Sequence, residues 1–218
     1  GYRDEEYAMF GVDRRRRAAL MDERLIALQQ ALSGTRFTHE GRDVHVTPPP
    51  ATPGGPMLLY GGGSRAAAAR AGRFGLGFIA QGPAEGMEEA YHQACAEAGH
   101  EPGMVIIPDG GSPTTVFVAR DVDAAWEQIG PHMLHDARMY AAWMGADNTS
   151  VSKSTAATVD ELRAERGPYR IYSVEEATEV VAAGMPLGLQ PLCGGCPPEH
   201  GWETLRLIVD EVLPAAAG

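Results

Sequence analysis

Pro56-Met57-Leu58-Leu59-Tyr60-Gly61-Gly62-Gly63-Ser64 is the stretch on which the fold is read. Met57–Tyr60 is a short apolar run, the signature of a buried strand. It breaks on three glycines, and Ser64 is a natural N-cap for the alanine-rich helix predicted over Arg65–Arg73. Strand, glycine turn and helix then recur outward along the chain. Gly77–Ala80 reads as a second buried strand, ended by Gln81-Gly82-Pro83, with a helix over Met87–Ala98 stopped by Gly99. Met104–Ile107 and Thr115–Ala119 read as strands split by the turn Pro108-Asp109-Gly110-Gly111. Asp123 is expected to cap a long helix carrying Trp126, Ile129, Met133, Ala137 and Tyr140, which Pro131 should kink or restart. Leu187–Leu192 is the last strand candidate. It runs into Cys193-Gly194-Gly195-Cys196 and a final helix from Glu199 to about Val212. This rhythm predicts parallel strands with covering helices, in an open doubly wound sheet or in part of a (β/α)8 barrel. Spacing alone does not choose between them.

Before that core, Met21, Leu25, Leu28 and Leu32 recur on one helical face, so a helix is expected over about 14–32, capped by Asp13 and ended by Gly34. Arg36–Val46 reads as an antiparallel hairpin turning at Glu40-Gly41. Pro48–Pro50, Pro53 and Pro56 make a stiff extended connector. Residues 147–158 are polar and loop-like. Thr158 with Glu161, and Ser173 with Glu176, have the spacing of capping boxes that open short helices.

The 218 residues are 44% hydrophobic and 22% charged, within the globular range. No apolar run is long enough for a membrane span. The balance of 18 basic to 29 acidic side chains, a net −11, repels phosphate backbones and argues against nucleic acid as a partner. Three cysteines make no disulfide framework. With no basic-then-apolar leader in the sequence, a cytoplasmic location is expected.

The sharpest chemical signal is Gly62-Gly63-Ser64 between a strand and a helix. Glycine admits close backbone approach, and a helix amino end offers free N–H groups and a positive dipole end, which suits a phosphate. A tight turn with a serine cap and no ligand fits the same residues. No Gly-Lys-Ser/Thr occurs, which excludes a Walker A loop, and the third glycine of a dinucleotide fingerprint is missing. Gly82, and Gly194 with Gly195, end other strands, where α/β proteins place their ligands. Cys193 and Cys196 could form a redox dithiol, or a zinc site with His200. Two prolines precede the helix, however, and no second cysteine pair exists. Cys95 reads as a small buried apolar residue. His132 and His135 lie three apart on one helix, and His39 and His45 fall in the hairpin; each pair reads more simply as structure than as chemistry. Arg14–Arg17 reads as a solvated first turn, and Trp126, Tyr140, Trp143 and Trp202 as core.

In order and spacing these segments resemble the luciferase-like monooxygenase superfamily of flavin- and deazaflavin-dependent (β/α)8 barrels. The resemblance is carried by Gly1–Asp13, by Phe37–Val46 with its prolines, and by Pro56–Ser64 with Ala67–Ala71. Val118–Asp121 with Trp126, and Pro191–Gly195 with Trp202, Leu205 and Val212–Pro214, complete it. It implies a single domain over 1–218, the carboxyl-terminal portion of a barrel whose strands one to four are missing, with an inserted hairpin. It implies FMN or coenzyme F420 as cofactor, its phosphate on Gly62, Gly63 and Ser64, with Gly82, Gly194 and Gly195 along the pocket. The expected activity is oxidoreduction of a small organic substrate, with molecular oxygen in the monooxygenase branch. The family's active-site histidine belongs to the part not present, so no catalytic residue is assigned, and no metal is implied. A homo-oligomer or a completing chain is left open as partner. The alternative is a non-catalytic fragment, or a phosphate- or ligand-binding module that needs a second chain.

Overall fold

The computed structural model describes residues 3–52, 55–83, 85–108, 113–144 and 152–217. The chain divides into two compact units, Gly1–Ile107 and Pro108–Gly218.

The first unit opens with α1 (Asp4–Met9), a 3-10 turn over Arg14–Arg16 and α2 (Arg17–Leu32). Asp13 caps the entry, its carboxylate accepting from the Arg15 N–H at 2.9 Å. The apolar stripe expected on α2 is mostly not a core face: Leu25 is buried, while Met21 and Leu28 are exposed. Charge fastens the helix instead. Asp22 accepts from Arg70 and, at 3.1 Å, from Arg73. Burial works to lower the Arg70 pKa, but hydrogen bonds to Asp22 and Tyr60 outweigh it and hold the guanidinium above its ordinary range. The hairpin forms as expected, with β1 (Phe37–His39) antiparallel to β2 (Arg42–Val44). Glu40 and Gly41 both take positive φ, 50° and 73°, as a two-residue turn of primed type requires.

Next come β3 (Leu59–Gly62), α3 (Arg65–Arg73), β4 (Gly77–Ala80), α4 (Met87–Ala98) and β5 (Val105–Ile106). The strands pair in parallel in the order β3-β4-β5, with Leu59 opposite Gly77 and Gly62 opposite Ala80. Phe78 and Ala80 point into a core closed by Ala67, Ala68 and Ala71 of α3 and by Met87, Tyr91 and Cys95 of α4. Small side chains on α3 let the two helices lie close. Buried Tyr91 ties them to the sheet: its hydroxyl donates to the Leu76 carbonyl at 2.9 Å and accepts from the Gly103 N–H at 2.8 Å. Strand alternation sends Leu59, Ile79 and Ile106 the other way. There they stay 39%, 38% and 39% exposed, so the sheet has one covered face and one apolar open face.

The second unit holds β6 (Thr115–Val118), α5 (Val122–Met144), α6 (Val159–Glu165), β7 (Tyr169–Tyr172), α7 (Val174–Ala182) and α8 (Pro198–Leu207). Helix α8 continues through a π turn over Ile208–Val212 into Leu213–Ala216. β6 and β7 are parallel, and Leu189 makes a parallel bridge to Val116 on the other side of β6. Both faces are covered here. Phe117, Tyr169 and Ile171 pack on α5 and α6, while Val118 packs on α7 and on Leu207, Ile208 and Val212.

The parallel α/β class is as expected, and the sheets do not close into a barrel among the described residues. Several local expectations need correction. The last strand shrinks to the Leu189 bridge, which lies beside β6. The sequence pattern does not announce β7, because Tyr169–Tyr172 is flanked by two helix-start signals that dominate locally. Asp121, not Asp123, caps α5, accepting from the Ala124 N–H at 3.0 Å. Pro131 lies inside α5 without restarting it. Thr158 caps α6, but the Glu161 carboxylate takes the Ala157 N–H at 2.7 Å, one residue earlier than a capping box requires. The Ser173–Glu176 box is complete. Trp202, expected in the core, is 59% exposed. The turn at Asp109–Gly111 and residues 147–151 of the polar stretch 147–158 lie outside the described residues.

Candidate functional site

The glycine turn stands at the carboxyl end of β3. Gly62 is required there by packing, since a Cβ on it would sit 2.4 Å from the Ala67 Cβ. Ser64 is extended and caps α3: its hydroxyl accepts from the Ala67 N–H at 3.2 Å, and its carbonyl accepts from Ala67 and Ala68 at 3.0 Å. The N–H groups of Arg65 and Ala66 have no intrahelical acceptor, by the geometry of a helix start. Ser64, Arg65 and Ala66 are exposed, and Gly62 and Gly63 are half-buried. No acidic residue occupies the first turn of α3, and an arginine does. A cation at that end works against the helix dipole. Arg65 is steadied by the Glu85 carbonyl, to which its Nε donates at 3.1 Å. This arginine was not singled out from the sequence, although a basic residue directly after an N-cap was the available signal.

The neighbouring strand end is joined to this turn. The Gln81 N–H donates to the Gly62 carbonyl at 3.0 Å, and Gly82 follows, buried. Gly62, Gly63, Ser64 and Gly82 therefore belong to adjacent parallel strand ends. A cavity of about 290 Å³ in the same unit opens at the opposite end of the strands, beside Met57, Leu58, Gly77 and Met104.

Gly194 and Gly195 belong to the other unit. They form a 3-10 turn, Cys193–Gly195, that packs on α5. Gly194 has φ +56°, and a Cβ there would lie 1.9 Å from the His132 carbonyl oxygen. The His132 ring Nδ1 is 3.2 Å from the Gly194 carbonyl. The glycine at 194 thus serves close contact between turn and helix, while a Cβ at Gly195 would meet nothing within 4 Å.

Cys193 and Cys196 are buried free thiols. Burial pushes the Cys193 thiol well up, the Asp136 carboxylate beside it adds to the shift, and burial likewise raises Cys196. Both stay protonated at neutral pH, the opposite of what a redox dithiol or a zinc site needs. The described residues contain no group of ligating side chains suited to a metal. Asp136 also accepts from the Tyr169 hydroxyl at 2.8 Å, and burial raises that phenol's pKa first of all. His39 is 2.6 Å from an Arg24 nitrogen, and His45 and His135 are exposed. The arginine run is a solvated turn, with Arg14 paired to Asp4 and Arg15 to Asp13. Among the described residues no helix is long and apolar enough to cross a membrane.

The model of the luciferase-like monooxygenase family matches residues 1–188, and the chain belongs to that family. No curated protein matches it.

Proposed function

We propose that this luciferase-like monooxygenase chain carries the cofactor-phosphate seat of a flavin- or deazaflavin-dependent oxidoreductase, formed by Gly62, Gly63 and Ser64 with Gly82 alongside. One observation carries the reading. The turn at the end of β3 presents exposed amides of α3, has Arg65 beside them and no acid in the first turn, and is bonded to the adjacent strand end through Gln81. An anion there satisfies orphan N–H groups, the helix dipole and the misplaced cation together. FMN and coenzyme F420 both bring such a phosphate. Bound, either supplies two-electron chemistry on a small organic substrate, with molecular oxygen as co-substrate in a monooxygenase.

The residues of this chain bind and orient. Amides at Arg65 and Ala66 receive the phosphate, the absence of a side chain at Gly63 lets it approach, and the Ser64 cap keeps α3 aimed at it. Unit 1 fits a sector of a (β/α)8 barrel. Its strands neighbour one another in chain order, its helices cover one face, and the open face of Leu59, Ile79 and Ile106 corresponds to a barrel interior. The proposal rests on unit 1 alone, because Gly194 in unit 2 is committed to packing against α5.

A second reading, a ligand-binding module completed by another chain, is favoured by that same open face, which a soluble chain does not ordinarily leave uncovered. Titration of the protein with FMN and with F420, followed by cofactor fluorescence, tests the first reading. Saturable binding of one of them is expected; binding of neither overturns it.

A further inference from the structure

Three arginines converge on one cavity of the second unit. Arg163 and Arg166 at the end of α6, and Arg170 in β7, line a space of about 120 Å³ with Trp126, Tyr172 and Glu176. Val122, the first residue of α5, also lines it. On a chain of net charge −11 such a gathering is unusual. Arg163 has a partner, donating to Asp123 at 2.6 Å. Among the described residues Arg166 and Arg170 have no carboxylate within ion-pair distance. Glu176 is close, but its carboxylate accepts from the Ser173 N–H at 3.0 Å within the α7 cap. Arg170 is half-buried, and its Nε donates only to the Gly167 carbonyl, at 3.2 Å.

The backbone at Arg166 adds a second observation. It takes φ +46° at the C-cap of α6, a left-handed position that glycine ordinarily fills. Glycine is the very next residue, yet the arginine occupies the strained place. A side chain kept at such a cost points to a use for it. Burial lowers the Arg170 pKa, with the Arg166 charge adding to the shift and Tyr172 and Glu176 opposing it.

We propose that Arg163, Arg166 and Arg170 form an oxyanion site for a phosphate group, distinct from the glycine turn and independent of the flavin reading. A space of about 120 Å³ suits a phosphate group. Guanidinium groups bind such an anion through paired, charge-assisted hydrogen bonds, and Trp126 and Tyr172 offer aromatic walls to whatever carries it.

Calorimetric titration of the protein with inorganic phosphate and with phenyl phosphate, at constant ionic strength set with sodium chloride, tests this. A saturable equivalent that depends on Arg166 and Arg170 is expected for at least one probe. Tighter phenyl phosphate identifies an organic monoester as the ligand, and tighter inorganic phosphate the free ion. Arg166→Gly relieves the left-handed strain, so it keeps or raises the melting temperature while weakening binding by about tenfold or more. Arg170→Gln loses affinity likewise, and Arg120→Gln, which removes an arginine paired with Glu211 outside both sites, leaves it unchanged. No saturable heat, unaltered affinity in Arg166→Gly, or an equal loss in Arg120→Gln overturns the proposal.

Discussion

The Thr204 hydroxyl of α8 lies 3.2 Å from both the backbone nitrogen and the backbone oxygen of Val118, accepting from one and donating to the other. Thr204 is a side chain standing where a strand would stand. Along β6, Thr115 and Ala119 donate toward β7, to Pro168 and Tyr172, while Val116 donates the other way, to Gly188. Val118 is next on that second edge, beyond the reach of the Leu189 bridge. A buried peptide group left unpaired costs about as much as a lost hydrogen bond, and Thr204 removes that cost.

Thr204→Val keeps the shape and removes both bonds. It should destabilise the second unit by about 1–3 kcal/mol, because it leaves a buried N–H and C=O unpaired. Thr204→Ser should lose less, since the hydroxyl remains. Urea denaturation of the two variants beside the parent checks the ordering; equal stability of all three would show that the edge is satisfied in another way.

The parallel α/β class, the hairpin and most helices are legible in the sequence because local signals set them: Ser64 and Ser173 as caps, Glu40-Gly41 as a turn, Gly77–Ala80 as an apolar run. What is not legible is non-local. No residue near Leu189 says that it pairs with Val116 instead of β7, since strand order depends on which face α7 covers. Met21 and Leu28 have helical spacing, yet what fastens α2 is its own Asp22 carboxylate, held by Arg70 and Arg73 of α3. At the site, Gly62-Gly63-Ser64 is visible as a turn. Arg65 directly after the cap is visible as well, while the bond from the Gln81 N–H to the Gly62 carbonyl, which joins the neighbouring strand end to the turn, comes only with the fold.

Asp22→Asn tests the fastening of α2. It leaves Arg70 and Arg73 without their shared carboxylate while preserving shape. A loss of about 1–2 kcal/mol is expected, set by the half-buried, charge-assisted bond rather than by surface pairing. Thermal melts at low and high salt provide the check. A variant as stable as the parent at both would mean that the apolar contact at Leu25 suffices.

Gly194→Ala forces a Cβ against the His132 carbonyl at a left-handed position. Overpacking predicts a loss of about 1–3 kcal/mol or more. Gly195→Ala meets no neighbour and should cost only its left-handed strain, about 1 kcal/mol. Denaturation midpoints of the pair decide it; similar losses would show that the turn is free to move away from α5.

The raised thiols of Cys193 and Cys196 and the raised Tyr169 phenol set a direction for alkaline stability. Each group stays neutral in the folded chain while its unfolded counterpart ionises. The stability they contribute is complete below the ordinary thiol range and declines as pH rises through it, from about pH 8.5 upward, with the phenol adding above about pH 10. Melting temperatures from pH 7 to pH 10.5 should fall, and Cys193→Ala should fall less steeply above pH 8.5. Fast labelling of all three thiols in the native protein by a small disulfide reagent at pH 8 would contradict the burial on which this rests.

Ser64→Asp separates the two meanings of the glycine turn. Aspartate caps a helix as well as serine does and suits the dipole, so a purely structural turn should be unharmed. A phosphate seat, by contrast, would have a carboxylate placed against the incoming anion. The decisive measurement is a fluorescence titration of FMN and of F420 into the parent and Ser64→Asp proteins at equal melting temperature. Binding weakened by about tenfold or more in the variant is expected from one opposed charge; equal affinity in both proteins, or no binding to the parent, would contradict the seat.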